Sequence, residues 1–245
     1  MLEAATAEAA RRAESNPFEL PFGTYRYCED HTESLVTIEA GRKPVLALGN
    51  EAMPGRLAWR FRSCPDGIPV TRAIVYDHVA VFAAAFDSHG NLATCLLPYR
   101  GAACVVSVTW LTDDQIQEIL RSDGPCERTS FVSLDRVAVD DVAGPIPSVG
   151  VQIVRAGLLA HDGSPIRSAE VPATGCPLPA LTQHAAMRWV QPRLALGLDF
   201  PTFARRLAED ASFRRASNVA LRRLALPGGL DCPTAPAAPA VALAR

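Results

Sequence analysis

Between Ala103 and Leu134 the period of the apolar positions changes. Val106, Val108 and Trp110 alternate with Val105, Ser107 and Thr109, the period of two that marks a strand with one strongly apolar face. From Thr112 onward the apolar positions fall at Ile116, Ile119 and Leu120, a single stripe along a helix. Thr112 and Gln115 form a capping box at its start, and Asp113 and Asp114 stand where the helix dipole favours anions. Ser122-Asp123-Gly124-Pro125 ends the helix, because Pro125 cannot continue it and Gly124 accepts a left-handed cap. A second strand then runs to Leu134. Asp123 therefore stands at a helix end between two strands. A catalytic carboxylate can be held there, and an acid can equally cap the turn; the local pattern alone favours the cap.

The same reading applied upstream predicts an irregular entry from Pro17 to Tyr27 and a short strand over Leu35–Glu39. The apolar run Val45–Leu48 follows Lys43-Pro44 and is broken by Gly49-Asn50-Glu51. Pro54 then opens a helix reaching about Arg62, since proline suits a first helical turn. Backbone N–H groups at the start of such a helix can hold a carboxylate or a phosphate. Ala73–Phe86 is a long apolar run and pairs as a hairpin with Leu92–Leu97 around Ser88-His89-Gly90-Asn91. Pro98-Tyr99-Arg100-Gly101 reads as a further turn. Strands Ala73–Phe86 and Ala103–Leu111 are expected as neighbours in one sheet.

Downstream, Val149–Ala160 and the residues from Pro165 form a hairpin around Asp162-Gly163, a type I′ signal. Thr182–Leu196 and Pro201–Leu226 look helical. The fold class is α+β: a small mixed or antiparallel β-barrel with a C-terminal helical appendage. The expected divisions are an N-terminal extension over 1–43, an α+β domain over 44–180, the helical appendage over 181–226 and a disordered Pro- and Ala-rich tail over 227–245.

Composition narrows the function classes. At 245 residues the chain is long enough to bury a real core, and a net charge of −2 gives no electrostatic footprint for nucleic acid. No apolar run reaches the length of a membrane span, and the first residues lack the apolar core of a signal peptide. Seven cysteines, an odd number with no C-x-x-C, suggest reduced thiols and a cytoplasmic protein. The five histidines show no pairing with Cys or carboxylate at metal spacing, so neither a metal nor any other cofactor is expected. Cys126 follows Gly124-Pro125, but no base is identifiable for it, which favours a structural thiol. Arginine pairs at 205–206, 214–215 and 222–223 make the C-terminal helices locally basic. They form either a solvated face or a contact for an acidic protein partner.

Two elements together resemble the γ-glutamylcyclotransferase-like family. The first is the strand–loop–helix Ala47-Leu48-Gly49-Asn50-Glu51-Ala52, followed by Pro54 and Leu57, in the place of the family's Y-G-S-N loop. Leu48 stands at the family's Tyr, Asn50 at its Ser and Glu51 at its Asn, and only Gly49 is shared. The second is Ile119-Leu120-Arg121-Ser122-Asp123-Gly124, similar in form to L-x-x-x-E-G before a strand, with Asp123 one methylene shorter than the family's Glu. Phe22-Gly23-Thr24-Tyr25-Arg26 is a second-ranked match to the loop signature. The resemblance covers roughly residues 44 to 172. It implies a loop at Leu48, Gly49, Asn50 and Glu51 that binds a γ-glutamyl amine or related small amide. It also implies a catalytic Asp123 that relays protons while 5-oxoproline is released. The alternative is a non-catalytic member of the same fold that binds a small ligand or a protein.

Overall fold

The structure, a computed structural model, describes residues 23–29, 31–61, 64, 66–122, 129–134, 139–141, 144–194 and 197–228, with backbone only at 50, 122, 129–134 and 139–141. The N-terminal segment up to 22, Asp123 to Cys126 and the tail from 229 lie outside the described residues. The described chain is α+β. Strands β1 (Tyr25–Cys28), β2 (His31–Glu33) and β3 (Lys43–Ala47) precede helix α1 (Pro54–Arg60). Two long strands follow, β4 (Ile68–Phe86) and β5 (Leu92–Leu111), then helix α2 (Asp113–Ser122). Next come β6 (Thr129–Leu134), β7 (Val139–Asp141), β8 (Gly144–Pro145) and β9 (Val149–Val154). Five two-residue strands complete the sheets: β10 (Ala160–His161), β11 (Ser164–Pro165), β12 (Arg167–Ser168), β13 (Ala173–Thr174) and β14 (Ala180–Leu181). Helices α3 (Gln183–Leu194), α4 (Phe200–Glu209) and α5 (Ala211–Arg222) end the described chain.

The β4–β5 hairpin is the spine, and Ala73 pairs with Val106 as the alternation of both segments requires. The turn expected at Pro98-Tyr99-Arg100-Gly101 is instead continuous strand. Pairing runs from Phe86↔Leu92 to Val70↔Thr109 with a register shift between Tyr76 and His78. There Asp77 has φ 55° and Gly101 φ 82°. The Gly101 N–H donates to the Asp77 carboxylate at 2.7 Å. Turn-forming residues thus serve a bulge, which bends a strand without ending it.

The bend brings the far end of the hairpin back across the molecule. Thr94 Oγ1 comes within 3.3 Å of where a Cβ on Gly49 would lie. Trp59 of α1 meets His89 of the hairpin tip edge-on, with ring centroids 4.4 Å apart. Ala73 and Val75 from one half of β4 share a core with Ala80 from its other half and Leu96 of β5.

β3 lies antiparallel to β5 and parallel to β9, and β6 pairs with β9. The other edge of β4 is covered in turn by β1, β7 and β12. The sheet runs β14-β12-β4-β5-β3-β9-β6 and is open, not the closed barrel expected from the sequence. The strand expected over Leu35–Glu39 is absent; the polar residues His31–Glu33 form β2 instead, because backbone pairing with β1 decides the strand there. At Asp162-Gly163 both residues have positive φ, 48° and 78°, the type I′ geometry expected for the β10–β11 hairpin.

The C-terminal helices pack on the far half of the hairpin. Phe82 and Phe86 share a core with Met187, Val190, Phe203 and Leu221. A Cβ on Gly90, at the hairpin tip, would meet the backbone nitrogen of Ala208 at 2.8 Å, so α4 is seated directly on the turn. The helix expected from Pro201 onward is divided. Asp210 is extended (φ −103°, ψ 97°) and its carboxylate accepts from the N–H groups of Ser212 and Phe213, capping α5.

Candidate functional site

The strand–loop–helix unit around Gly49 is built from its sequence in an ordered way. Val45, Leu46, Ala47 and Leu48 are all buried, so β3 is fixed on both faces. Gly49 has little room: a Cβ there would stand 3.3 Å from both Glu51 Oε2 and Thr94 Oγ1. Asn50–Ala52 form one turn of 3-10 helix, and Met53, extended, leads into α1 with Pro54 in its first turn. The loop is also held from outside. The buried Tyr25 hydroxyl donates to the Ala52 carbonyl, and burial holds that phenol well above its ordinary range. Tyr25 belongs to the second-ranked match to the loop signature, so the structure brings the two matches into contact.

Beside this loop lies a small, solvent-open cleft with about 20 Å³ of free space, room for little more than one water. Its apolar walls come from β3, α1, the end of β5 and Ile119 of α2. Its polar groups are Glu51, Arg60, Thr109 and Gln152. Thr109 Oγ1 donates to the Val45 carbonyl at 3.2 Å, which ties β5 to β3 at the cleft floor. Glu51 Oε2 accepts the Gly49 N–H at 2.7 Å, so the carboxylate folds back onto its own loop. The capping box at the head of α2 forms as the sequence predicts. Thr112 N–H donates to Gln115 Oε1 at 2.9 Å, and Gln115 N–H to Thr112 Oγ1 at 3.3 Å.

Among the residues singled out from sequence, Glu51 lines the cleft and Gly49 adjoins it through the Glu51 hydrogen bond. Leu48 turns the other way, into the sheet core with Leu46 and Val106. Asn50 contributes its backbone to the turn. Asp123 lies outside the described residues, while Ile119, four positions earlier, lines the cleft. The α1 start, expected to offer free donors, is partly closed: the Arg56 and Leu57 N–H groups both donate to the Met53 carbonyl at 2.9 Å.

Sequence reading missed Arg60 and Gln152. Arg60 is a charged side chain only 9% exposed, at the end of a helix whose apolar stripe gives no hint of it. Gln152 is a polar residue alternating with Val151 and Ile153 and reads as an outward position. It also missed a meeting of Cys28, His31 and Glu33, whose ligand atoms lie within 4.8 Å of one another. The signal was present as C-x-x-H-x-E, but it becomes a group only once the β1–β2 pairing is known. The described cysteines, Cys28, Cys64, Cys95, Cys104 and Cys176, are free thiols. Burial pushes the Cys104 thiol up to about 12, which makes it inert core. In the C-terminal layer Arg206 pairs with Asp210 at 3.3 Å, and Arg214 donates to the Leu207 carbonyl at 2.5 Å, so part of the basic character is engaged within the fold.

No family model matches the chain, and no curated protein matches it. Among solved structures, the solution structure of an Arabidopsis thaliana protein is similar at 12% identity and a TM-score of 0.36, covering 49% of this chain and 66% of that one. No helix among the described residues is long and apolar enough to cross a membrane.

Proposed function

We propose that the cleft beside Gly49–Glu51 takes a small γ-glutamyl amine or related amide, and that the chain is a γ-glutamylcyclotransferase-like enzyme. The observation that carries this reading is the meeting of the Gly49 loop with Glu51, Arg60 and Gln152 in one otherwise apolar cleft. A few polar groups converging in an apolar lining are the usual chemistry of a small-molecule site, and with about 20 Å³ of free space the ligand in this reading seats across the cleft's open side. Arg60 supplies a cation for the ligand's carboxylate, and Gln152 both a donor and an acceptor for an amide.

In the proposed reaction the ligand's α-amine attacks its own γ-carbonyl carbon. A ring C–N bond forms, the bond to the departing amine breaks, and 5-oxoproline is left. The proton lost by the attacking nitrogen must reach the leaving one. Asp123 carries it in this reading, as a carboxylate near both nitrogens can. Holding both ends of one molecule in attack geometry supplies much of the rate.

A second reading has its own observation. The Glu51 carboxylate accepts the Gly49 N–H, which places negative charge on the donor that a ligand carboxylate would use. In that case the cleft binds a small ligand without turnover. Release of 5-oxoproline across a panel of γ-glutamyl amines decides between the two. Turnover that is lost in Asp123→Asn supports the enzyme. Saturable binding of the same compounds without release supports the binding protein.

A further inference from the structure

We propose that Cys28, His31 and Glu33 form a binding site for a divalent cation of the zinc class, a metal clip on the β1–β2 hairpin. The hairpin register supplies the geometry. Cys28 is paired directly with His31, and Arg26 with Glu33, so these four side chains share one face of the two-stranded ribbon. Tyr25 and Tyr27 alternate with them and are buried on the other face. The ligand atoms of Cys28, His31 and Glu33 all fall within 4.8 Å of one another. A tetrahedral zinc site with bonds of about 2.0–2.3 Å needs ligand atoms roughly 3.3–3.8 Å apart. His31 and Glu33 are both exposed, so rotation of their side chains is the movement that binding would require.

The donor set is selective. One thiolate, one imidazole and one carboxylate suit zinc or cobalt and are poorly matched to magnesium or calcium, which prefer oxygen alone. Three protein ligands leave a fourth position for water. The neighbouring cation is engaged mainly elsewhere. Arg26 reaches Glu33 only at 3.7 Å, while its guanidinium lies 2.5 Å from Glu39 and donates to the Thr37 and Asp66 carbonyls at 2.7 Å each. Binding replaces the Cys28 S–H bond with a sulfur–metal bond and releases the proton to solvent, with no change of oxidation state. Among the described strands β2 pairs only with β1, and the metal would fasten it to the strand that carries Tyr25.

The test is titration of the full-length, chelator-treated chain with Co²⁺ under reducing conditions. The expected result is one equivalent bound, with a thiolate-to-cobalt charge-transfer band, the intense visible bands of a tetrahedral ion and bleaching on addition of Zn²⁺. Cys28→Ser removes the charge-transfer band, and His31→Ala and Glu33→Gln each weaken binding by roughly tenfold or more. Circular dichroism of each variant confirms that it is folded; His31→Ala and Glu33→Gln alter exposed positions and keep the test open should Cys28→Ser fold poorly. A weak octahedral spectrum, or a charge-transfer band that survives in Cys28→Ser, overturns the proposal.

Discussion

The side-chain amide of Asn218 replaces a strand for the backbone of Phe86: its Oδ1 accepts the Phe86 N–H at 2.7 Å and its Nδ2 donates to the Phe86 carbonyl at 3.2 Å. Phe86 ends β4 and is fully buried, so neither backbone group has water to fall back on. This contact locks α5 to the hairpin. Asn218→Ala leaves both groups buried without partners, at a cost of about 1–3 kcal/mol for each. A denaturant series is expected to show one cooperative transition with a lowered midpoint. A separate early transition for the helices would show that they fold independently of the sheet.

The Tyr25 hydroxyl bond to Ala52 makes a second prediction, and its sign follows from the raised pKa. Burial keeps the phenol protonated in the folded chain above the value of about 10 at which an unfolded tyrosine ionises. Above about pH 10 the unfolded state therefore releases a proton that the folded state retains, and stability falls as pH rises toward the folded-state value. The wild-type urea midpoint is expected to drop more steeply above pH ~10 than that of Tyr25→Phe, which lacks the ionisable group. At neutral pH the variant loses about 1–3 kcal/mol, because the buried Ala52 carbonyl loses its donor. Equal slopes for the two proteins would contradict this account.

Asp210 titrates in the opposite sense. The Phe213 N–H, then the Arg206 side chain and the Ser212 N–H, stabilise its carboxylate and hold its pKa below the ordinary aspartate range. Its contribution is present above about pH 4, where unfolded aspartate is ionised, and is lost as pH falls through the depressed folded value. Asp210→Ala is expected to melt below wild type at pH 7, and the gap should narrow in acid. Asp210→Asn, which keeps an acceptor for the cap, should recover part of the difference. A gap that stays constant with pH would place the effect elsewhere.

What was legible in the sequence was local. The Thr112–Gln115 box, the Asp162-Gly163 turn and the two long apolar runs each depend on residues close in sequence, and each is found. The bulge at Asp77 and Gly101 was not legible. Gly101 lies in a string of turn residues, and only its partner across the strand, Asp77, decides that the chain bends without reversing. The same holds for the site. Gly49 and Glu51 could be picked out from their place after an apolar strand. Arg60, Gln152 and Thr94 enter only through the helix, the parallel β9 and the returning hairpin that bring them there. The Cys28–His31–Glu33 group follows the same rule, since strand register creates it.

The final prediction concerns which carboxylate moves the proton if the chain is a cyclotransferase. Glu51 is the acid among the described residues that line the cleft, and its Oε2 already accepts the Gly49 N–H. Asp123 is the acid that the family resemblance selects. The two roles separate in kinetics. If Asp123 relays the proton, Asp123→Asn lowers kcat by roughly a hundredfold or more, the usual scale of general acid–base catalysis. Glu51→Gln then acts on binding: the charge that repels a ligand carboxylate is gone, and KM falls while kcat changes little. If Glu51 is the relay, the pattern reverses, and Glu51→Gln carries the loss in kcat. Asp123→Glu adds a further distinction, because it restores the family's side-chain length. A gain in turnover marks a site weakened by the shorter acid, and a loss marks one fitted to it, since about 1 Å of misplacement can cost on the order of a hundredfold. An unchanged kcat in both Asp123→Asn and Glu51→Gln would remove both carboxylates from the chemistry and end the cyclotransferase reading.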